Sequence, residues 1–203
     1  MRLATTMYHP AIVKKLMSST VLGMALLTLA ASSLAADKSA ASTGPKWIYP
    51  VIPGFGGVHP RPNLPVRPDP KVDYKIFVDL VSDDTNEKGQ YHVLLRLARI
   101  VNIMAYAGVP SKHVHVVALL DGNKNGYASL NEASFKKMFN KENPNLPILR
   151  ALKKAGVRIM ICSQALAHFD VPDDMIDKSV TVTLSGLTDM IVYGQKGYSF
   201  VWL

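Results

Sequence analysis

The chemistry open to this sequence centres on its single cysteine, Cys162. Residues 157–161 are mostly β-branched or large and apolar, and they follow Ala155-Gly156, a typical helix end, so they predict a buried strand of a parallel sheet. Ser163 is a good N-cap for a helix after that strand. A thiol between a strand end and a helix N-terminus meets unpaired N–H groups and the positive end of the helix dipole, which favour the thiolate. Cys162 is therefore the candidate nucleophile; the alternative is a small buried apolar residue.

A second motif has the spacing of a calcium-binding loop. It runs from residue 121 to residue 132, and its candidate ligands are Asp121, Asn123, Asn125, Tyr127 and Glu132, with Gly126 at the sixth position. Only two of these side chains are carboxylates, and Lys124 adds a positive charge, so any calcium binding is expected to be weak. The favoured interpretation needs no metal: a turn rich in glycine and asparagine, followed by a capping box from Ser129 to Glu132. No cofactor is expected.

From residue 73 onwards, strand patterns alternate with helix patterns. Strands are predicted over 74–81, 113–120, 157–161, 178–184 and 198–202, and helices over 90–107, 132–139, 146–155 and 187–196, with a short helix after Cys162 and another helix starting at Pro172. This order predicts an α/β fold, a three-layer α/β/α domain with a mainly parallel five-stranded sheet.

Ligands of such sheets bind beyond the carboxyl ends of the strands. There we expect Cys162 to meet the loop that begins at Ser82 and the loop that begins at Asp121. None of these turns carries a Gly-x-Gly-x-x-Gly or Walker sequence, so no nucleotide partner is expected.

Residues 1–35 have the three parts of an export signal. Lys14-Lys15 end a basic region, residues 16–31 form an apolar run, and Ser33-Leu34-Ala35 supply the small residues of a cleavage site. Cleavage after Ala35 or Ala36 and a periplasmic location are therefore predicted. The alternative is an uncleaved anchor, although polar residues interrupt the apolar run.

Residues 36–72 form a proline-rich N-terminal arm, which ends where the predicted α/β domain (73–203) begins. The arm holds eight of the 13 prolines, a composition that prevents a regular helix or strand. An extended linker is the usual structure of such a segment. However, Trp47, Ile48 and Phe55 are too apolar for a simple tether, so a free linker and an arm docked on the domain both remain possible.

The positive charge of the chain lies mainly in these extensions. The formal net charge is +8, but residues 73–203 carry 15 basic and 13 acidic residues, a net charge of +2. A nearly neutral domain without a basic, aromatic-rich stripe argues against nucleic acid as a partner.

The order aliphatic-x-aliphatic-Cys-x-x-Ala-Leu around Cys162, followed by Asp170-Val171, resembles the DsrE/DsrF-like (DsrE/TusD) family of sulfur-transfer proteins. The resemblance covers residues 73–203 and is greatest for the exported branch of the family. That branch commonly has Cys-Gly-Gln where this chain has Cys162-Ser163-Gln164, and His-Gly where this chain has Asp121-Gly122.

The resemblance implies that Cys162 carries sulfur as a persulfide and that the domain forms a homo-oligomer, a trimer or a multiple of three. The leading hypothesis is a periplasmic sulfur carrier or sulfurtransferase. Ser163 and Gln164 would donate hydrogen bonds to the sulfur, and Asp121 would approach from the neighbouring loop. The alternative is a non-enzymatic binding or assembly module that keeps the fold. The sequence identifies neither the sulfur donor nor the acceptor.

Overall fold

The structure, a computed structural model, describes residues 46–120 and 124–203. Two parts of the chain lie outside the described residues. The first is the predicted signal peptide with residues 36–45 of the arm, and the second is Asp121, Gly122 and Asn123 of the calcium-loop motif. Within the described part of the chain, no helix has the length and apolar character needed to cross a membrane.

In the described residues, the domain has five strands and five α-helices, with one or two helices between successive strands. The strands are β1 (Tyr74–Leu80), β2 (Val114–Leu120), β3 (Arg158–Cys162), β4 (Val180–Thr183) and β5 (Ser199–Trp202). The helices are α1 (His92–Tyr106), α2 (Glu132–Phe139), α3 (Leu146–Lys154), α4 (Ser163–His168) and α5 (Gly186–Gln195). The strands form one sheet in the order β4-β3-β2-β1-β5, and every neighbouring pair is parallel. The predicted three-layer α/β/α fold is confirmed.

Most predicted boundaries differ from the structure by one or two residues, and two of the differences have local reasons. β2 begins at Val114 rather than His113, because Ser111–His113 form a 3-10 turn in which the His113 N–H donates to the Pro110 carbonyl. The helix predicted from Pro172 is only a 3-10 turn, Asp173–Met175, since the chain returns to extended backbone at Ile176. Neither change alters the order of the strands.

The two faces of the sheet have different cores. One face carries the larger core, to which α1 contributes Leu94 and Leu97 and α3 contributes Leu149 and Leu152. The other face carries a smaller core in which Tyr193 of α5 packs with side chains from the three central strands, namely Phe77, Val117, Leu119 and Met160. Burial of both faces is the usual condition for a parallel sheet.

The described part of the proline-rich arm packs on α1. Ile52 is 1% exposed and belongs to the larger core. Asn102 of α1 is fully buried, and its side chain makes four hydrogen bonds to the arm backbone. Its Oδ1 accepts from the N–H groups of Val51 and Ile52, and its Nδ2 donates to the carbonyls of Phe55 and Gly56. One side chain thus satisfies four backbone groups of a segment that has little regular pairing of its own.

The arm lies very close to the backbone of α1 at Gly56, and this contact generates a prediction. Gly56 has φ +61°, and a Cβ there would lie 2.2 Å from the backbone nitrogen of Arg99. Gly54 has φ +78° but no heavy atom within 4 Å of such a Cβ. Gly54→Ala should therefore cost only the left-handed backbone strain, about 1–2 kcal/mol. Gly56→Ala should cost this strain plus the displacement of the arm, roughly 1–3 kcal/mol more.

Urea unfolding of the two variants, together with limited proteolysis of the arm, measures the difference. Equal free energies of unfolding and equal cleavage rates for Gly56→Ala and Gly54→Ala would contradict the docked arrangement.

Candidate functional site

Cys162 lies at the carboxyl end of β3, immediately before α4. It is half-buried, and its thiol is free. Because α4 begins at Ser163, Cys162 itself occupies the N-cap position, with φ −70° and ψ 121°. The prediction that Ser163 is the N-cap is therefore wrong by one residue, since Ser163 already has helical backbone. The Cys162 side chain caps no N–H of this helix, so the sulfur remains available for chemistry.

The sheet determines which way Cys162 points. Side chains alternate along a strand, so Cys162 lies on the same face as Met160, which belongs to the smaller core beneath α5. In the parallel register, Cys162 is the direct partner of Thr183 on β4. Adjacent strands are about 4.8 Å apart, so these two side chains are close neighbours on that face.

The start of α5 covers this corner of the sheet. α5 follows β4, yet its first residue, Gly186, packs on β2: a Cβ at Gly186 would lie 2.8 Å from Cδ2 of Leu119. Since β3 lies between β4 and β2, the connection from Thr183 to Gly186 crosses the end of β3 on the face of Cys162. The start of α5, a ten-residue helix, therefore lies over the end of β3 on the side of Cys162.

Ser163 and Gln164 fix the position of this connection. The Ser163 hydroxyl donates to the Leu184 carbonyl at 2.8 Å, and Gln164 Nε2 donates to the same carbonyl at 3.2 Å and to Ser163 Oγ at 3.3 Å. The structure thus directs both predicted donors to Leu184 rather than to the Cys162 sulfur. They join the start of α4 to the crossing segment.

Two further polar residues at this corner were not singled out from the sequence. The Thr183 hydroxyl donates to Oδ1 of Asp189 in the first turn of α5 at 2.7 Å. The other carboxylate oxygen, Oδ2, is buried and has no hydrogen-bond partner within the described residues. A threonine at a strand end and an aspartate in a first helical turn are common, so only the strand register reveals their proximity to Cys162.

The described part of the calcium-loop motif has structural roles. Asn125 is fully buried, and its Nδ2 donates to the Leu80 and Ser82 carbonyls. Glu132 Oε1 accepts from the Asn143 N–H. The predicted capping box is wrong, because Asn131 is the N-cap of α2 and accepts from the Ser134 N–H.

Within residues 46–120 and 124–203, no group of three or more His, Cys, Asp or Glu side chains has an arrangement that could hold a metal ion. Tyr127, the remaining candidate ligand in this part of the chain, stacks edge-on against Phe139 and packs near Phe169. Asp121, the predicted neighbour of Cys162, and Asn123 lie outside the described residues.

A separate open cleft of about 330 Å³ lies near the same end of β1 and β2. Its walls include Tyr91, Tyr127 and Phe139, and Lys124 and Lys141 line it as well. The Tyr91 hydroxyl donates to the Lys124 carbonyl at 2.6 Å. Burial, together with the negative charge of Asp83, raises the pKa of Tyr91 to about 12, so this phenol stays protonated as a donor near neutral pH.

Comparison with known proteins identifies the family. Among solved structures, a protein of unknown function from Methanobacterium thermoautotrophicum has 22% sequence identity and a TM-score of 0.47, covering 64% of this chain and 100% of its own. No curated protein gives a significant match. The model of the DsrE/DsrF-like family matches residues 75–203, a span that contains Cys162 and nearly all of the sheet. This match confirms the resemblance seen in the sequence: the chain belongs to the DsrE/DsrF-like family.

Proposed function

We propose that this protein is an exported sulfur carrier that holds sulfur as a persulfide on Cys162. Membership of the DsrE/DsrF-like family points to a sulfur-relay-related role. The observation that carries the proposal is the position of the only cysteine: it is half-buried at the carboxyl edge of a parallel sheet, where α4 begins and the start of α5 passes.

The proposed chemistry is an exchange of one sulfur–sulfur bond for another. The Cys162 sulfur gives up its proton and attacks the terminal sulfur of a donor persulfide, R–S–SH, so that Cys–S–SH forms and the donor leaves as R–S⁻. An acceptor thiolate then attacks the terminal sulfur, and Cys162 leaves as a thiolate. No net oxidant is needed, and one cysteine is sufficient because no intramolecular disulfide forms.

The alternative, a non-enzymatic assembly module, has support from the same face of the domain. Apolar side chains just before α5 and along its first six residues are largely solvent-exposed: Leu184 is 71%, Leu187 is 76% and Ile191 is 61% exposed. Exposed apolar patches commonly mark interaction surfaces. The two functions differ in whether they require the thiol, so the state of Cys162 separates them.

The first test is sulfur loading. After treatment with polysulfide, the native protein should gain the mass of sulfur on Cys162, and a reductant should remove it. Cys162→Ser should gain none, and blocking with iodoacetamide under native conditions should have the same effect. If the wild-type thiol reacts only after denaturation, Cys162 is a buried core residue and the assembly module is the better description.

Export predicts a defined N-terminus for the mature protein. Because the cleavage-site residues end at Ala35 or Ala36, the intact mass of protein recovered from the periplasm should lack the first 35 or 36 residues. A matched variant, Ala35→Arg combined with Ala36→Arg, should block cleavage because signal peptidase requires a small residue directly before the cleaved bond. Recovery of Met1 on wild-type protein in the membrane fraction would contradict export with cleavage.

We further propose that the domain forms a trimer or a multiple of three and that the apolar start of α5 lies in the interface. Light scattering at micromolar concentration should give a mass at least three times that of one mature chain. Leu187→Glu, combined with Ile191→Glu, should reduce it. Val66→Glu is the control, since Val66 is 91% exposed on the arm and outside this patch. A monomeric wild type would contradict the proposal.

A further inference from the structure

We infer that Thr183 and Asp189 form a proton path for Cys162, in which Asp189 takes up the thiol proton through the Thr183 hydroxyl. This inference rests on the proposed function, because it assigns positioning and proton-holding roles in the loading of sulfur onto Cys162. It concerns the corner of the sheet where β3 and β4 end and α5 begins.

The register places the three groups in sequence. Cys162 and Thr183 are direct partners on neighbouring parallel strands, so their side chains lie on the same face about 4.8 Å apart at the backbone. The Thr183 hydroxyl donates a hydrogen bond to Asp189 Oδ1 at 2.7 Å. The structure shows no hydrogen bond between the thiol and Oγ1. The lone pairs of Oγ1 are free to accept the S–H of Cys162 when sulfur is loaded, since a hydroxyl donates one hydrogen bond and accepts two.

The carboxylate of Asp189 is not fully used by the fold. Oδ1 accepts from Thr183, whereas the buried Oδ2 has no hydrogen-bond partner within the described residues. Most buried polar atoms in proteins are hydrogen-bonded, so an exception calls for an explanation. Asp189 can therefore accept a further hydrogen bond or a proton, and only the Thr183 hydroxyl separates it from Cys162. This position fits a residue that receives a proton during the reaction.

Other charged groups of the described residues are poorly placed for this role. Asp79 lies on the same face but on β1, with β2 between it and β3. Arg158 is at the opposite end of β3 and donates to the Tyr193 hydroxyl. His168 is at the far end of α4, where its ring packs edge-on against Phe169. Asp189 is the carboxylate linked by a hydrogen bond to the strand partner of Cys162.

The proton balance closes without any additional reactant. As the Cys162 sulfur attacks the donor persulfide, its proton moves to Thr183 Oγ1, and the Thr183 hydroxyl proton moves to Asp189 Oδ1. The donor leaves as R–S⁻, and the proton held on Asp189 returns through Thr183 to this leaving thiolate. Thr183 ends with the hydroxyl that it had at the start.

The test compares the rate of sulfur loading from polysulfide, measured against pH, for wild type, Thr183→Val and Asp189→Asn. Both variants should load at least about tenfold more slowly near neutral pH, because general acid–base groups commonly contribute that much or more. At high pH, where solvent ionises the thiol, the rates should converge with that of wild type. A purely structural role would not produce this pH-dependent convergence.

Two matched variants keep the test decisive. Thr181→Val alters the same strand and face two residues earlier and should load like wild type, and Thr183→Ser keeps the hydroxyl and should restore the neutral rate. If Asp189→Asn is faster than wild type, Asp189 acts only as a charge that disfavours the thiolate, and the inference fails. It also fails if the variants load at the wild-type rate. If wild type itself gains no sulfur, the proposed function fails instead.

Discussion

The candidate site depends on one feature of the fold: the segment that joins β4 to α5 passes over the end of β3. Gly186 allows this crossing, because a side chain there would meet Leu119 at 2.8 Å. The close contact holds the first turn of α5 against β2, while Ser163 and Gln164 hold the preceding carbonyl of Leu184. The cysteine is thereby enclosed from one side without being removed from solvent, and it remains half-buried.

Much of the fold could be predicted from local sequence, because each strand and helix has its own hydrophobic period and stop signals. The strand order and register could not, since they depend on contacts between distant segments. The candidate site shows the same division. Cys162 was identifiable from the strand before it, whereas Thr183 and Asp189 become relevant only through the pairing of β3 with β4. Local rules also failed to predict the N-caps of two helices. Ser163 was predicted to cap α4, but Cys162 is its N-cap. Ser129 was predicted to cap α2, but Asn131 is its N-cap.

The proline-rich arm illustrates why composition left two alternatives open. Its prolines exclude regular pairing, but they do not determine whether the chain docks. Docking depends on Asn102, a polar residue within the buried surface of α1, whose single side chain serves four backbone groups of the arm. A periodicity search for apolar residues passes over such a residue. A fully buried asparagine in an otherwise apolar helix face is the signal that would have favoured the docked arm.

The unequal faces of the sheet connect the chemistry to assembly. On the face with the larger core, helices and the arm bury apolar side chains, whereas on the face of Cys162, α5 leaves Leu187 and Ile191 exposed one turn apart. The proposed carrier would have to keep bound sulfur from bulk reductants yet release it to an acceptor thiolate. Apolar exposure next to a half-buried cysteine suits both needs, because a second protein surface that covers the patch would also limit solvent access to the sulfur. The sulfur on Cys162 would then be shielded only while a protein surface covers the patch. Transfer of the sulfur would be restricted to partners that fit the start of α5.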